Sequence, residues 1–168
     1  MQELENTIGS AQGNEDEQVL SFRLGGEEYA VDILRVQEIK GWEKTTPIPN
    51  TPDYVMGVIN LRGAVVPIID LRVRFKLDDI TYNESTVVII VRAFDSLGTQ
   101  KIIGLVVDGV SDVHSIHTDH LQNAPEMSGV IHSSYLKGLA TLDDKMVIVL
   151  NIDQLINEGI LGDISALN

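Results

Sequence analysis

Residues 57–70 read Gly-Val-Ile-Asn-Leu-Arg-Gly-Ala-Val-Val-Pro-Ile-Ile-Asp, two apolar runs interrupted by Asn60-Leu61-Arg62-Gly63. Runs this rich in Val and Ile suit strands buried in a barrel or sandwich, because both of their faces must be kept from water. The Arg62-Gly63 pair marks a tight turn, since glycine accepts the positive φ that most hairpin turns require. The segment therefore predicts a stiff apolar hairpin with a guanidinium at its tip.

A chain of 168 residues can build one ordinary core or two very small ones that share a surface. Aromatic residues make up only 5% against 43% hydrophobic, which favours β-branched strands over an aromatic-lined pocket. The absence of Cys excludes disulfides, thiol nucleophiles, Cys-ligated zinc and iron–sulfur clusters, and fits a reducing compartment. The first basic residue is Arg23. No apolar stretch approaches the ~18 residues of a membrane span, so a cytoplasmic protein without direct membrane insertion is expected. Of the net charge of −13, residues 1–17 supply −5, leaving about −8 on the body. That balance opposes phosphate contacts, and nucleic acid is not an expected partner.

Residues 1–17 are acidic and Gly/Ser/Asn-rich, with too little apolar content to offset chain entropy, and read as a disordered tail. The folded region is expected over 18–157, with a flexible C-terminal tail over 158–168. Within it, residues 19–24 and 27–33 flank a Gly25-Gly26 turn as a hairpin, and 36–40 follow as a strand. Asp70 is placed to cap a short helix over 71–76, and Asn151 a second one through Asn157. The second half repeats the first. Residues 30–39 match 104–113 at an offset of 74, and 57–75 match 138–156 at an offset of 81. This pairs Gly57 with Gly138, Leu61 with Leu142 and Asp70 with Asn151. A period near 80 residues is too long for a solenoid unit and points to two small barrels of similar topology. Val65, Ile68, Val88, Ile90, Val106 and Val149 are expected in their cores.

Candidate chemistry is sparse. His114, His117 and His120 stand three apart, but residues 110–116 alternate like a strand, which turns such positions to opposite faces. No metal site or cofactor is expected. Ser111, Asp112 and His114 are too close in sequence for one strand to assemble them as a triad, and no nucleophile elbow occurs. Asp78-Asp79 and Asp143-Asp144 read as polar turns, and an enzyme is not expected. Arg72, Arg74 and Lys76 read as the solvated, dipole-favoured face of the first helix. Arg62 differs because a turn needs no Arg: it either pairs with an acid, Glu38 first, or meets an acidic partner. Val36 fits core or interface equally, as does Trp42.

Several segments in order resemble the CheW family of bacterial chemotaxis coupling proteins. They are Tyr29-Ala30-Val31-Asp32-Ile33 with Val36-Gln37-Glu38-Ile39, Pro47-Ile48-Pro49-Asn50-Thr51-Pro52, Gly57 to Gly63, Val66 to Arg72, and Gly104 to Asp108. The resemblance implies an all-β fold of two SH3-like five-stranded barrels packed side by side, with short helices after each second hairpin. It implies a non-enzymatic adaptor coupling transmembrane chemoreceptors to the histidine kinase CheA, recruited to receptor arrays, with rings formed with the kinase's regulatory domain or other CheW molecules. Its receptor site would lie in the groove between the barrels and use Val36, Glu38, Gly57, Asn60, Leu61, Arg62 and Gly63 against the helical tip of a receptor. Leu121, Gln122, Pro125 and Met127 would be candidates for a kinase or ring contact. The loop over 94–100 and the histidine run depart from the family pattern. A small-barrel ligand-binding or hydrolytic domain is the alternative, favoured by an enclosed pocket with converging polar groups.

Overall fold

The computed structural model describes residues 16–123 and 133–161, so the candidate contacts Pro125 and Met127 lie outside the described residues. Ten strands run in chain order: β1 (Asp16–Leu24), β2 (Glu27–Asp32), β3 (Val36–Gly41), β4 (Val55–Leu61), β5 (Ala64–Asp70), β6 (Val87–Phe94), β7 (Gln100–Val107), β8 (Gly109–His117), β9 (Leu136–Leu142) and β10 (Lys145–Leu150). Helix α1 (Leu71–Arg74) follows β5, and α2 (Ile152–Gln154) follows β10 and continues as a wider π turn over Leu155–Ile160. A 3-10 turn (Ile33–Arg35) joins β2 to β3.

The strands form two five-stranded sheets, ordered β3-β6-β7-β5-β4 and β8-β1-β2-β10-β9. Adding or subtracting five from every strand number converts one order into the other, so the halves inferred from the repeat are real. The register carries the same offsets. Ile68 of β5 lies opposite Gly104 of β7, and Val149 of β10 lies opposite Ala30 of β2, both in parallel pairs. Asp70 accepts the Arg72 amide proton and Asn151 accepts that of Gln154, so the two helices start on equivalent caps. The chain crosses from one sheet to the other at residues 33–35 and again at Asp108, which interlaces the two barrels.

Each sheet has two covered faces, which is why its strands read as continuous apolar runs. Ile59, Leu61, Val66, Ile68, Val88, Ile90 and Val106 fill the first barrel. Val19, Ala30, Ile116, Ala140, Val147 and Val149 fill the second. The opposite faces meet in a shared central core that includes Phe22, Tyr29, Ile69, Leu71, Ile89, Leu105 and Leu150, closed by Ile152, Leu155, Ile156 and Ile160.

Three expectations about strands, tail and helix bounds need correction. Val65 is 68% exposed rather than buried, because the strand alternation that turns Val66 and Ile68 inward turns it out beside the hairpin tip. Asp16 and Glu17 belong to β1 rather than to the tail. They lie opposite His117 and Ile116 of β8, and Glu17 pairs with Lys137 at 2.8 Å. The last helical segment also passes residue 157, because Ile160 is fully buried and anchors it.

Candidate partner-binding site

The β4–β5 turn is built on two positive φ angles, 51° at Arg62 and 90° at Gly63, the mirror-image geometry that matches strand twist. Asn60 Oδ1 accepts the Gly63 amide proton at 2.9 Å and locks the turn. β3 and β4 are the two edge strands of this sheet. Across the opening between them, the Arg62 guanidinium donates through Nη2 to Glu38 Oε2. The Glu38 carboxyl is accordingly held below the usual glutamate range, first by that hydrogen bond and then by the Arg62 and Lys40 charges against the cost of desolvation. Arg62 nevertheless keeps 66% of its side chain in solvent. Both readings offered for Arg62 therefore meet in one place: an internal pair whose cation still faces outward.

Gly57 holds the other end of this face. Its φ of +133° is open to glycine, and a Cβ there would sit 2.2 Å from the Thr46 carbonyl oxygen. That close approach lets Thr46 and Val58 exchange two backbone hydrogen bonds of 2.9 Å, which ties the preceding loop to β4. Leu61 is buried in the first barrel and anchors the tip. Val36 is half-buried against the central core. The exposed large apolar residues of these strands are instead Ile39, next to Glu38 in β3, and Val65, three residues past Arg62 in β5, 42% and 68% exposed. Once Val66 is known to face inward, strand alternation turns Val65 out, whereas on β3 the bulge between Val36 and Glu38 breaks such a count, and Ile39 is exposed because it lies on an edge strand.

Arg72 corrects the sequence reading most. It is not on a solvated face: its side chain is 2% exposed and lies in an ion cluster. Nε and Nη2 donate to the two oxygens of buried Asp70 at 2.9 Å, and Nη1 donates to Asp108 Oδ1 at 3.0 Å and the Thr81 carbonyl at 2.6 Å. Burial opposes the Arg72 charge, but the two carboxylates more than offset it and raise its pKa above the usual arginine value. The Tyr82 hydroxyl donates to Asp70 and its ring lies under the guanidinium at 4.7 Å; desolvation, followed by Asp70, pushes its pKa up to about 12. The Trp42 ring lies tilted against Tyr82, centroids 4.6 Å apart, and packs at a core edge of the first barrel. Arg74 is likewise engaged, donating to the Gly159 carbonyl at 2.6 Å. Only Lys76 of this trio is exposed. An Arg two residues after a capping Asp fits a solvated helix equally well, so the sequence carried no signal that singled out this cluster.

The remaining candidates do not converge. His114 lies on β8, His117 ends it and His120 sits in the following 3-10 turn, with the last two rings 5.3 Å apart. Among the described residues no group of three His, Asp or Glu could hold a metal ion. Ser111, Asp112 and His114 line a cleft of about 330 Å³ with Arg23, Glu28 and Asp143. The Ser111 hydroxyl there donates to Glu28 at 3.2 Å rather than engaging His114. Leu121 packs into the second barrel, and Gln122 exchanges two backbone hydrogen bonds of 2.8 Å with Leu139. That bridge is the repeat counterpart of the Thr46–Val58 bridge. Among the described residues no helix is long and apolar enough to cross a membrane.

A family model of the CheW-like domain matches residues 18–159. The chemotaxis protein CheW of Klebsiella aerogenes is 47% identical over 141 residues, covering 84% of this chain and 82% of that protein. The chemotaxis protein CheW of Helicobacter pylori is 33% identical, covering 92% and 91%. Among solved structures, the scaffolding protein TtCheW of Thermoanaerobacter tengcongensis superposes with a TM-score of 0.73 at 34% identity, covering 83% of this chain and 86% of that one. With a family model matched over residues 18–159 and relatives this similar over most of their length, this chain belongs to the CheW family.

Proposed function

We propose that the protein is a non-catalytic chemotaxis adaptor that couples chemoreceptors to the histidine kinase CheA, working in the cytoplasm at membrane-associated receptor arrays. The observation that carries this reading is the tip of the first barrel. A rigid turn, a guanidinium that is paired yet outward-facing, and the exposed apolar residues Ile39 and Val65 offer a mixed surface of the kind protein interfaces use. The helical tip of a receptor is its proposed occupant, with Glu38 and Arg62 fixing orientation and Gly57, Asn60 and Gly63 shaping the surface. Leu61 and Val36 act from beneath, through packing. The kinase's regulatory domain, or a second CheW in a ring, is assigned to the second barrel near Gln122. An adaptor of this kind transmits by holding partners in one geometry, so that receptor conformation changes which packing is favoured.

The names of the relatives support the coarse reading, and at the Ser111–His114 cleft the Ser111 hydroxyl is held by Glu28 rather than by His114, so no Ser–His pair speaks for a hydrolytic one. The test is co-sedimentation of the protein with a receptor signalling fragment and with the kinase, separately and together. Retention by each alone and a ternary complex with both is expected. Binding to neither would overturn the proposal.

A further inference from the structure

Two ion pairs outside the proposed contact surface occupy equivalent places in the repeat with their charges exchanged. In the first half, Arg72 on α1 pairs with Asp108 in the β7–β8 crossover at 3.0 Å, and Asp108 Oδ2 accepts the Gly25 amide proton at 2.8 Å. In the second half, Asp153 on α2 is the residue that the 81-residue offset aligns with Arg72. It pairs with Arg35 in the β2–β3 crossover through two parallel hydrogen bonds of 2.7 and 2.9 Å. Asp153 Oδ1 also accepts the Phe94 amide proton at 2.8 Å. The registers of β1 on β2 and of β6 on β7 place Gly25 and Phe94 at matching strand ends. In both halves a salt-bridged carboxylate thus accepts an amide at a strand end, that of Gly25 just past β1 and that of Phe94 closing β6, while the ion pair ties a helix to a crossover. The helix supplies the cation in one case and the anion in the other.

We infer that these pairs are one latch used twice with inverted polarity, and that Arg35–Asp153 is a positioning pair for the edge strand that carries Glu38. Arg35 is the residue immediately before β3, and its guanidinium also lies 4.8 Å over the Phe94 ring. A bulge between Val36 and Glu38 follows at once, so the start of β3 has less ladder support than its end. The Arg35 and Asp153 side chains are 27% and 34% exposed, against 2% for Arg72, which makes this copy the accessible one. Bidentate geometry adds orientation as well as energy, so the fork sets the angle at which the chain enters β3. The surface it positions is the one assigned under the proposed function, but the latch itself is testable on the free protein.

The experiment compares wild type, Arg35→Ala, Asp153→Ala and the exchanged double variant Arg35→Asp with Asp153→Arg, which copies the polarity of the Arg72–Asp108 latch. Amide exchange at Phe94 and side-chain carbon titration of Glu38 are read by NMR, followed by binding of the receptor signalling fragment and of the kinase. Asp153→Ala should speed Phe94 exchange about tenfold or more. Arg35→Ala should move the Glu38 titration up towards an ordinary glutamate and weaken receptor-fragment binding more than kinase binding. The exchanged variant should return each towards wild type. Should Arg35→Ala not fold, Arg35→Lys keeps the charge, loses the fork and is read in the same way. Unchanged Glu38 titration in the folded single variants, or an exchanged variant as impaired as they are, would overturn the latch. Failure of the wild-type protein to bind the receptor fragment would instead remove the functional reading, leaving the two free-protein readouts to decide the latch.

Discussion

At the level of strand order the first and second barrels are interchangeable, yet they are filled and finished differently. Where the first barrel buries Ile90, Val106 and Ile59, the repeat places Ser21, Asp32 and Ala140 in the second. Ser21 is buried, and its hydroxyl both donates to and accepts from the Asp112 backbone at 3.1 Å, filling a bulge with a polar seam. At the tips, Glu38 and Arg62 close the first barrel with an ion pair, whereas the equivalent positions in the second are Asp112 and Asp143, two like charges lining an open cleft. What the halves share is backbone constraint: the glycines at 57 and 138, the caps at 70 and 151, the bridges at 46–58 and 122–139. What they do not share is the chemistry presented outward. Topology is held by a few positions where only certain residues fit, and the rest of each barrel is free to specialise.

The comparison is most easily broken at the latches. Arg72→Ala leaves the buried Asp70 carboxylate without its cation, a change that costs about 3–5 kcal/mol. Arg35→Ala removes a partly exposed pair and should cost about 1 kcal/mol or less. Chemical denaturation of the two variants checks the ratio, and equal losses would mean the copies are not buried as differently as the structure has them.

The interiors give the next largest contrast. Ile68 and Val149 are matching positions in the two barrels, 0% and 1% exposed. Ile68→Ala should cost about 3 kcal/mol, and Val149→Ala less, because a smaller side chain leaves a smaller cavity. A larger loss at Val149 would show that the second barrel packs more tightly than its residues suggest.

These contrasts also mark how far the sequence could be read. Val/Ile runs, Gly-Gly and Arg-Gly turns and capping Asp and Asn residues are local signals, and they located nearly every strand and both helices. The repeat was legible because its offsets are fixed by register. The Glu38–Arg62 pair was reachable because a turn gives Arg no other use. The Arg72 cluster was not, since local helix chemistry explains an Arg after a cap equally well, and only the crossover at Asp108 brings the second carboxylate near. Val65 was misplaced for want of parity: a run of five apolar residues does not announce which of them faces out.

The hairpin tips offer a smaller, opposite effect. Asp143 and Asp144 adopt φ of 51° and 65°, and the second of them stands where the first barrel has Gly63. Asp144→Gly should stabilise the protein by about 0.5–1 kcal/mol by relieving that conformation, read as a rise in melting temperature. Gly63→Asp should do the reverse.

The smallest effect is that of pH on the Glu38–Arg62 pair. The Glu38 pKa is lowered on folding below its ordinary 4.5, so the pair contributes stability above that value and loses it as pH falls through the folded pKa. Melting curves of wild type and Glu38→Gln should therefore converge as the solution is acidified, and a gap that widened on acidification would contradict the pair.

On the function proposed above, the first barrel's tip, and not its repeat in the second, would receive the receptor. Receptor-dependent kinase activation measured with Arg62→Glu, Glu38→Arg, their charge-exchanged double variant and Asp143→Arg tests it most directly. Arg62→Glu is expected to remain folded and to reduce coupling about tenfold or more, as loss of a charge-assisted contact at an interface does. Glu38→Arg should share the defect, the exchanged pair should recover part of it, and Asp143→Arg should behave as wild type. Full coupling by folded Arg62→Glu, or loss of coupling by Asp143→Arg alone, would contradict the account.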